Sequence, residues 1–190
     1  VDDDAEPMDE PRVALEAGAQ VINDVSGLGD PELARLVAAH EAGLIAMASP
    51  TSGGALPEGP LATVTGCLAR SLERARTMGI AEERVVLDPG IGFFRSGPTP
   101  WNRWDVEVLA HLDRLLVFGR PLAVAVSRKS FIGTLIDQPS TADRLAGSLA
   151  ATALAVAHGA CLVRAHDVRE TRDAVRVATA IRQARAAGAP

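Results

Sequence analysis

The chain has 190 residues, of which 47% are hydrophobic and only 3% aromatic, and its formal net charge is −5 at pH 7. This length fits one domain, 1–190, and the apolar content argues against disorder. The sequence shows neither an apolar run of the ~18 residues that a membrane span needs nor a signal-peptide pattern, and the acidic balance argues against nucleic acid as a partner. Cys67 and Cys161 lie far apart without a CxxC motif, which favours free thiols and a cytoplasmic protein.

The basic residues are unusually uniform. Eighteen of the nineteen are arginine, and Lys129 is the one lysine. An excess of arginine over lysine usually reflects the base composition of the genome. The one lysine that is kept differs chemically, because a flexible primary amine has properties that a planar guanidinium lacks. Lys129 is therefore a candidate functional residue.

The chain alternates helical and strand patterns. In order, the predicted elements are a helix over 10–17, a strand over 20–25, a helix over 30–42, a strand over 44–48, a helix over 61–78, a strand over 85–87, a helix over 106–118, a strand over 122–126, a helix over 141–158, a strand over 162–165 and a helix over 168–187. Asp30 followed by Pro31 marks a helix start, because a capping acceptor precedes a residue that needs no N–H partner. Gly79 marks a helix end.

Five strands, each followed by a helix, predict an α/β protein with parallel strands that are buried on both faces. Such units build either a closed (β/α)8 TIM barrel or an open doubly wound sheet, and no GxGxxG motif follows a strand to favour the second. A complete barrel needs about 250 residues, so a barrel would be incomplete here, with about the last five βα units.

The first and third predicted strands end in polar groups, where functional side chains of such folds lie. Asn23 and Asp24 end the first, and an amide suits a heterocycle that offers both a donor and an acceptor; an Asx turn is the structural alternative. Asp88 leads the third strand into a Pro-Gly turn. A turn alone would explain Asp88, but it would not explain an exposed pair, Phe93 and Phe94, that could stack on a flat ring.

The fourth and fifth predicted strands end in cations. The segment SRKS over 127–130 contains the only lysine, and such a cluster can hold an anion; a solvated loop is the alternative. Arg164 and His166 are two residues apart on a strand and so share one face. Because a helix begins just after them, we predict a phosphate or pyrophosphate clamp, although a lone histidine would more often be structural.

These four segments resemble, in this order, the dihydropteroate synthase family. They are INDVSG over 22–27, DPGIGF over 88–93, SRKSFIG over 127–133 and RAHDV over 164–168, and the linking RLAGSLA over 144–150 and the Gly159-Ala160 pair also fit. The resemblance covers nearly the whole chain. It implies a (β/α)8 barrel and a transferase of folate biosynthesis, which condenses 6-hydroxymethyl-7,8-dihydropterin pyrophosphate with p-aminobenzoate to give 7,8-dihydropteroate and pyrophosphate.

The resemblance also implies residue roles, Mg²⁺ as a cofactor without dedicated metal ligands in this chain, and a homodimer. The implied substrate-binding residues are Asp4 (or Asp2), Asn23, Asp88, Phe93, Ser127, Arg128 and Lys129; Arg164 and His166 would bind the pyrophosphate; Lys129, Arg164 and His166 would be catalytic.

Two departures from the family pattern matter. The metal- and substrate-binding loops of the family's first two strands are not found in this sequence, and Met47-Ala48-Ser49-Pro50 stands where the family often has a histidine after the methionine. A non-catalytic or fragmentary pterin-binding relative that needs a partner segment is therefore the alternative. A pterin-dependent methyltransferase is a third possibility, but it would not need Arg164 and His166.

Overall fold

A computed structural model describes residues 9–51 and 58–188 of the chain. The strands are β1 (Val21–Asp24), β2 (Gly43–Met47), β3 (Val85–Asp88), β4 (Ala123–Val124) and β5 (Leu162–Val163). The helices are α1 (Asp9–Glu16), α2 (Pro31–Ala39), α3 (Pro60–Thr77), α4 (Trp101–Ala110), α5 (Ser130–Leu135), α6 (Leu145–Ala157) and α7 (Val168–Ala187). No helix in the described part of the chain is both long and apolar enough to cross a membrane.

The strands are all parallel and lie side by side in chain order. One sheet has the order β1-β2-β3 and a second pairs β4 with β5. A bridge between Leu87 and Leu122 joins the two sheets. A doubly wound sheet reverses its strand order at a switch point, and the described strands do not. The predicted α/β class is therefore confirmed, and the doubly wound alternative is wrong for this part of the chain.

The two faces of these sheets have different surroundings. The register places Leu44 of β2 on the same face as Val85 of β3, and this face is buried in the core with Val64 and Leu68 of α3. The opposite face carries side chains from β1, β3 and β5, and we call it the open face; it includes Val21, Asn23, Val86, Asp88 and Leu162. Val21 is 53% exposed and Leu162 38% exposed, so apolar side chains of the open face contact water.

Helix ends follow the sequence signals that predict them. The Asp30 carboxylate accepts a hydrogen bond from the Glu32 N–H at 2.8 Å, and Pro31 begins α2. After α3, Gly79 adopts a φ of +79°, and its N–H donates to the Arg76 carbonyl at 3.1 Å. Left-handed backbone of this kind favours glycine, which lacks a Cβ.

Two predicted helices differ from the structure, and one helix of the structure has no counterpart in the prediction. The helix predicted over 106–118 is wrong at both ends: α4 begins at Trp101, just after Pro100, and Leu112–Phe118 is a 3₁₀ helix. The helix predicted over 141–158 begins with a 3₁₀ turn, Thr141–Arg144, before α6. Helix α5 was not predicted, because only six residues form it and hydrophobic periodicity needs longer segments.

Candidate functional site

The polar strand ends meet at one edge of the sheets, where the carboxyl ends of parallel strands lie together. A cavity of about 460 Å³ opens there beside β4 and β5. It is lined by Ala125, Ser127, Arg128, Lys129, Thr141, Arg164, Ala165 and His166. The structure thus brings together all five predicted site residues of the last two strand ends.

Asn23 and Asp24, at the end of β1, have opposite surroundings. Asp24 is buried, and its carboxylate accepts hydrogen bonds from the Ser26 hydroxyl at 2.6 Å, the Ser26 N–H at 3.0 Å and the Leu28 N–H at 2.6 Å. Asp24 therefore shapes the turn, as the Asx alternative predicts for this residue. Asn23 is exposed on the open face, the face that also carries Asp88, although it does not line the cavity.

Asp88 is a buried carboxylate at the end of β3. Its Oδ1 accepts the Gly90 N–H at 2.8 Å. Burial raises the pKa of Asp88, and the Gly90 hydrogen bond and the cations Lys129 and Arg164 oppose that increase. Gly90 has a φ of +72°, and a Cβ there would lie 2.3 Å from the Ala48 carbonyl oxygen. The turn after Asp88 therefore requires glycine.

The two adjacent phenylalanines do not form the exposed pair that the sequence predicts. Phe94 is 4% exposed, and its ring stacks on Trp104 with centroids 5.0 Å apart. Phe93 is 37% exposed, and the Lys129 Nζ lies 4.8 Å from its ring centroid. The prediction of an exposed pair is wrong because the backbone directs one ring into the core, and only Phe93 is accessible to a ligand.

Lys129 precedes α5 and is half-buried between charges of both signs. Burial lowers the pKa of the Lys129 ammonium. The carboxylates of Asp88 and Asp105 oppose this effect, and the guanidiniums of Arg164 and Arg95 add to it. A desolvated ammonium interacts strongly with any acceptor that enters the site, because little water screens it.

Arg128, the neighbour of Lys129, forms contacts with the protein itself. Its guanidinium donates two hydrogen bonds to Asp167, Nη2 to Oδ1 at 2.6 Å and Nε to Oδ2 at 3.1 Å. The Arg128 backbone has a φ of +59°; its N–H donates to the Ser148 hydroxyl, and its carbonyl accepts from Arg144. Two residues of the predicted linking segment, Arg144 and Ser148, thus hold the loop that carries Lys129.

Ser127 and His166 are joined directly. The Ser127 hydroxyl lies 3.0 Å from the His166 Nδ1 and accepts the His166 backbone N–H at 3.3 Å. Donation of the hydroxyl proton to Nδ1 would leave the proton of a neutral His166 on Nε2, which could then donate to an anion. Ser127 therefore orients the histidine, while Arg164 is exposed at the same cavity.

The sequence matches the profile of the family described as "Pterin binding enzyme" over residues 6–166. The chain belongs to this family. It is 36% identical, over 176 residues, to the dihydropteroate synthase of Synechocystis sp., and the match covers 90% of this chain and 59% of that protein.

Solved structures of dihydropteroate synthases are similar to the present fold. The Xanthomonas albilineans enzyme with 4-aminobenzoic acid gives a TM-score of 0.81 at 36% identity, covering 90% of this chain and 64% of that one. The complex of that enzyme with 7,8-dihydropteroate also gives a TM-score of 0.81 at 36% identity, covering 95% of this chain and 64% of that one. The chain thus spans about 60% of the length of its curated relatives.

Two further features of this member of the family bear on the remaining predictions. Asp2 and Asp4, the alternatives for an aspartate at the pterin, lie outside the described residues. In the segment that departs from the family pattern, Ser49 is buried, and its hydroxyl lies 2.9 Å from that of Thr51. This segment is in contact with the site, because the Ala48 N–H donates to the Asp88 carbonyl at 2.8 Å.

Sequence reasoning missed one charged residue of this site. Asp105, in α4, is only 1% exposed, and its Oδ1 accepts the Gly92 N–H at 2.8 Å. The sequence predicts a helix there only from Val106 onward, so an acid just before it reads as a surface residue. The contact between Asp105 and Gly92 is set by packing of the loop on the helix, which no local pattern encodes.

Proposed function

We propose that this chain provides the pterin- and pyrophosphate-binding part of a dihydropteroate synthase. The enzyme would condense 6-hydroxymethyl-7,8-dihydropterin pyrophosphate with p-aminobenzoate to give 7,8-dihydropteroate and pyrophosphate. The observation that carries this proposal is the single cavity lined by Lys129, Arg164 and His166. The similar Xanthomonas albilineans enzyme is described in complexes with 4-aminobenzoic acid and with 7,8-dihydropteroate, which correspond to one substrate and the product.

On the pterin side, Asp88 would accept N–H groups of the heterocycle, and Asn23 would pair with its edge. These side chains lie on the open face, two strands apart and offset by two residues along the strands, hence about 12 Å apart. Lys129 would donate to a pterin acceptor. The exposed Phe93 ring beneath its ammonium offers a flat surface for the aminobenzoate ring. We assign the Asp4 contact to the same edge as a prediction.

On the phosphate side, the chemistry is a substitution at the methylene carbon that links pterin and pyrophosphate. The lone pair of the amine nitrogen forms a bond to this carbon, the carbon–oxygen bond to pyrophosphate breaks, pyrophosphate leaves with the electron pair, and the amine loses one proton. Arg164 and the His166 Nε2–H would stabilise the charge on the leaving oxygens. Arg128, which was predicted to bind substrate, is held by Asp167; we propose that it supports the loop instead.

We propose a (β/α)8 barrel as the complete architecture, of which this chain holds about five units. Its support is the sequential parallel order of the strands and the likeness to dihydropteroate synthase structures. The exposed apolar residues of the open face, Val21 and Leu162, favour one alternative: the chain binds pterin but does not turn it over until further strands cover this face.

The predicted Mg²⁺ has no protein-only site among the described residues. No group of three or more histidine, cysteine, aspartate or glutamate side chains lies close enough there to hold a metal ion. These residues therefore do not fit a resident Mg²⁺, and we assign no step of the reaction to it. That Mg²⁺ accompanies the pyrophosphate stays a prediction, which titrations with and without the ion will test.

A homodimer and a cytoplasmic location complete the proposal. An apolar groove of about 310 Å³ lies between α4, α5 and α6, and Leu135 and Leu154 on its rim are largely exposed. An uncharged surface of this kind suits contact with a second copy about a two-fold axis. Sedimentation equilibrium should then show a dimer for the wild type and a monomer for Leu154→Glu.

The proposed cytoplasmic location is supported by the cysteines. The free thiols of Cys67 and Cys161 suit a reducing compartment.

The proposal is tested by isothermal titration calorimetry with 6-hydroxymethyl-7,8-dihydropterin pyrophosphate, followed by a chromatographic assay for 7,8-dihydropteroate. We expect pterin binding; formation of product once p-aminobenzoate is added would show that the chain is catalytic by itself. Binding without product would support the non-catalytic alternative. An affinity that does not depend on the pyrophosphate group would favour a methyltransferase, and failure to bind any pterin would refute the proposal.

A further inference from the structure

Asp105 is a buried carboxylate to which the proposed reaction assigns no role. It lies in α4, 1% exposed, and burial raises its pKa. Burying a carboxylate is unfavourable unless hydrogen bonds or cations compensate for the lost water. Here the compensation comes from the Gly92 N–H at 2.8 Å, with the charges of Arg95 and Lys129 nearby. The Asp105 carboxylate, whose burial is energetically unfavourable, thus contacts one backbone position of the loop that follows β3.

That backbone position packs closely against Lys129. Gly92 has a φ of +85°, and a Cβ added there would lie 3.0 Å from the Lys129 Cδ and 3.2 Å from its Nζ. The next residue, Phe93, places its ring centroid 4.8 Å from the same Nζ. A small shift of this backbone would therefore change both the space around the ammonium and the position of the ring.

We propose that Asp105 is a positioning residue: its carboxylate holds the backbone of Gly92 and Phe93 beneath Lys129 and so fixes the relative position of the ammonium and the aromatic ring. The consequence for substrate rests on the proposed function, because Phe93 is there assigned to the aminobenzoate. The geometric part of the proposal concerns the free protein alone. Asp105 touches no substrate in this arrangement and acts through Gly92.

The single lysine of the chain makes this geometry measurable without any ligand. In protein labelled at lysine Cε, one NMR signal reports Lys129, and the Phe93 ring current displaces it. Phe93→Leu calibrates the displacement. Asp105→Ala should remove most of it, whereas Asp105→Asn, which keeps an acceptor oxygen for the Gly92 N–H, should retain at least half.

A matched control separates positioning from general loss of stability. Ser71→Ala removes buried hydrogen bonds to Gly27 and Cys67, neither of which belongs to the loop that follows β3, and it should leave the Lys129 signal in place. An unchanged signal in folded Asp105→Ala would overturn the proposal, as would equal losses in Asp105→Ala and Ser71→Ala. If Asp105→Ala does not fold, Asp105→Val replaces it. If neither folds, hydrogen exchange in the wild type decides, because a Gly92 amide that exchanges without protection excludes the hydrogen bond.

A ligand experiment extends the test to function. With the pterin site saturated, Asp105→Ala should weaken p-aminobenzoate binding roughly tenfold, the effect of losing one well-placed hydrogen bond, and should change pterin affinity much less. Equal losses for both ligands would contradict positioning of Phe93. If the wild-type chain binds neither ligand, the proposed function is refuted. The NMR experiment still tests the positioning role of Asp105, because it needs no ligand.

Discussion

The two halves of the candidate site differ in how much water reaches their charges. In the buried half, Asp88 and Asp105 are almost inaccessible and Lys129 is half-buried, and burial is the main cause of the pKa shift of each. In the exposed half, Arg164 and His166 are open to solvent.

This difference matches two kinds of ligand chemistry. A neutral heterocycle offers only hydrogen bonds and a flat surface, and these gain most where water is excluded. A pyrophosphate carries several charges, which attract cations even through solvent, but salt weakens that attraction. The buried half therefore suits recognition of the pterin, and the exposed half suits capture and release of the anion. Four measurements test the division, beginning with the largest expected effect.

Lys129→Ala should have the largest effect. The ammonium is the charged donor of the buried half, so its removal should weaken binding of the pterin pyrophosphate on the order of 100-fold and suppress turnover. Calorimetry measures the affinity. Lys129→Arg is the control that keeps the charge but not the compact shape, and it should recover part of the loss. An affinity for Lys129→Ala within about twofold of the wild type would remove Lys129 from the site.

Arg164→Gln should have the next largest effect, and only for the ligand that carries phosphates. The expected loss is roughly tenfold for the pterin pyrophosphate, since one charge-assisted contact disappears. Binding of 6-hydroxymethyl-7,8-dihydropterin should not change. Titrations at several salt concentrations should show a steeper salt dependence for the wild type than for the variant. Equal losses for both ligands would contradict the division into two halves.

The titration of Lys129 should follow the charges around it. Burial lowers the pKa of the ammonium, so it should lose its proton below the value of ~10.4 typical of free lysine. Removing a nearby negative charge disfavours the cation, so Asp88→Asn should lower the midpoint further, and Asp105→Asn should lower it less. Removing a positive charge has the opposite sign, so Arg164→Gln should raise the midpoint. The lysine NMR signal measures all four, and a midpoint insensitive to Asp88→Asn would place that carboxylate elsewhere.

Asp167→Asn should have the smallest effect on ligand affinity, within about fivefold, because the Arg128–Asp167 pair is still partly open to solvent and such ion pairs contribute little. The change weakens the two hydrogen bonds that Asp167 accepts from Arg128. The Ser127–His166 contact does not depend on this pair and should persist. Calorimetry with the pterin pyrophosphate gives the affinity, with Asp173→Asn on the outer part of α7 as a control. A loss as large as that of Arg164→Gln would mean that the pair belongs to the ligand site.

The fold was largely predictable because its signals are local. Asp30 with Pro31 starts a helix, Gly79 ends one, and short apolar runs mark each of the five strands. Helix α5 escaped prediction because its six residues are too few to show a period. The hydrophobic pattern predicts the start of α4 five residues late, although Pro100 immediately before Trp101 signals a helix start.

For the candidate site, the sequence predicted which pairs of adjacent residues are involved, but not which residue of each pair is available to a ligand. Three neighbouring pairs were singled out, and in each the structure separates the members: Asn23 from Asp24, Phe93 from Phe94, and Lys129 from Arg128. Asn23, Phe93 and Lys129 are available to a ligand. Asp24, Phe94 and Arg128 instead form contacts that stabilise the protein itself. Asn23 and Asp24 are adjacent on a strand and point to opposite sides of the sheet, whereas the turns around Phe93 and Arg128 direct the side chains of the other two pairs. Chemistry alone therefore does not tell which residue of a pair is available to a ligand.

The sequence by itself determined which chemical groups this protein possesses, the order of its strands and helices, and the family that its strand ends resemble. Only the tertiary structure decided which member of each pair is engaged by the rest of the protein and which is left available to a ligand, and that Asp105 belongs to the site at all. The physical reason is that burial and contacts between distant residues set these outcomes. Ser127 meets His166 across 39 positions, and Asp105 meets Gly92 across 13, distances along the chain over which local preferences carry no information.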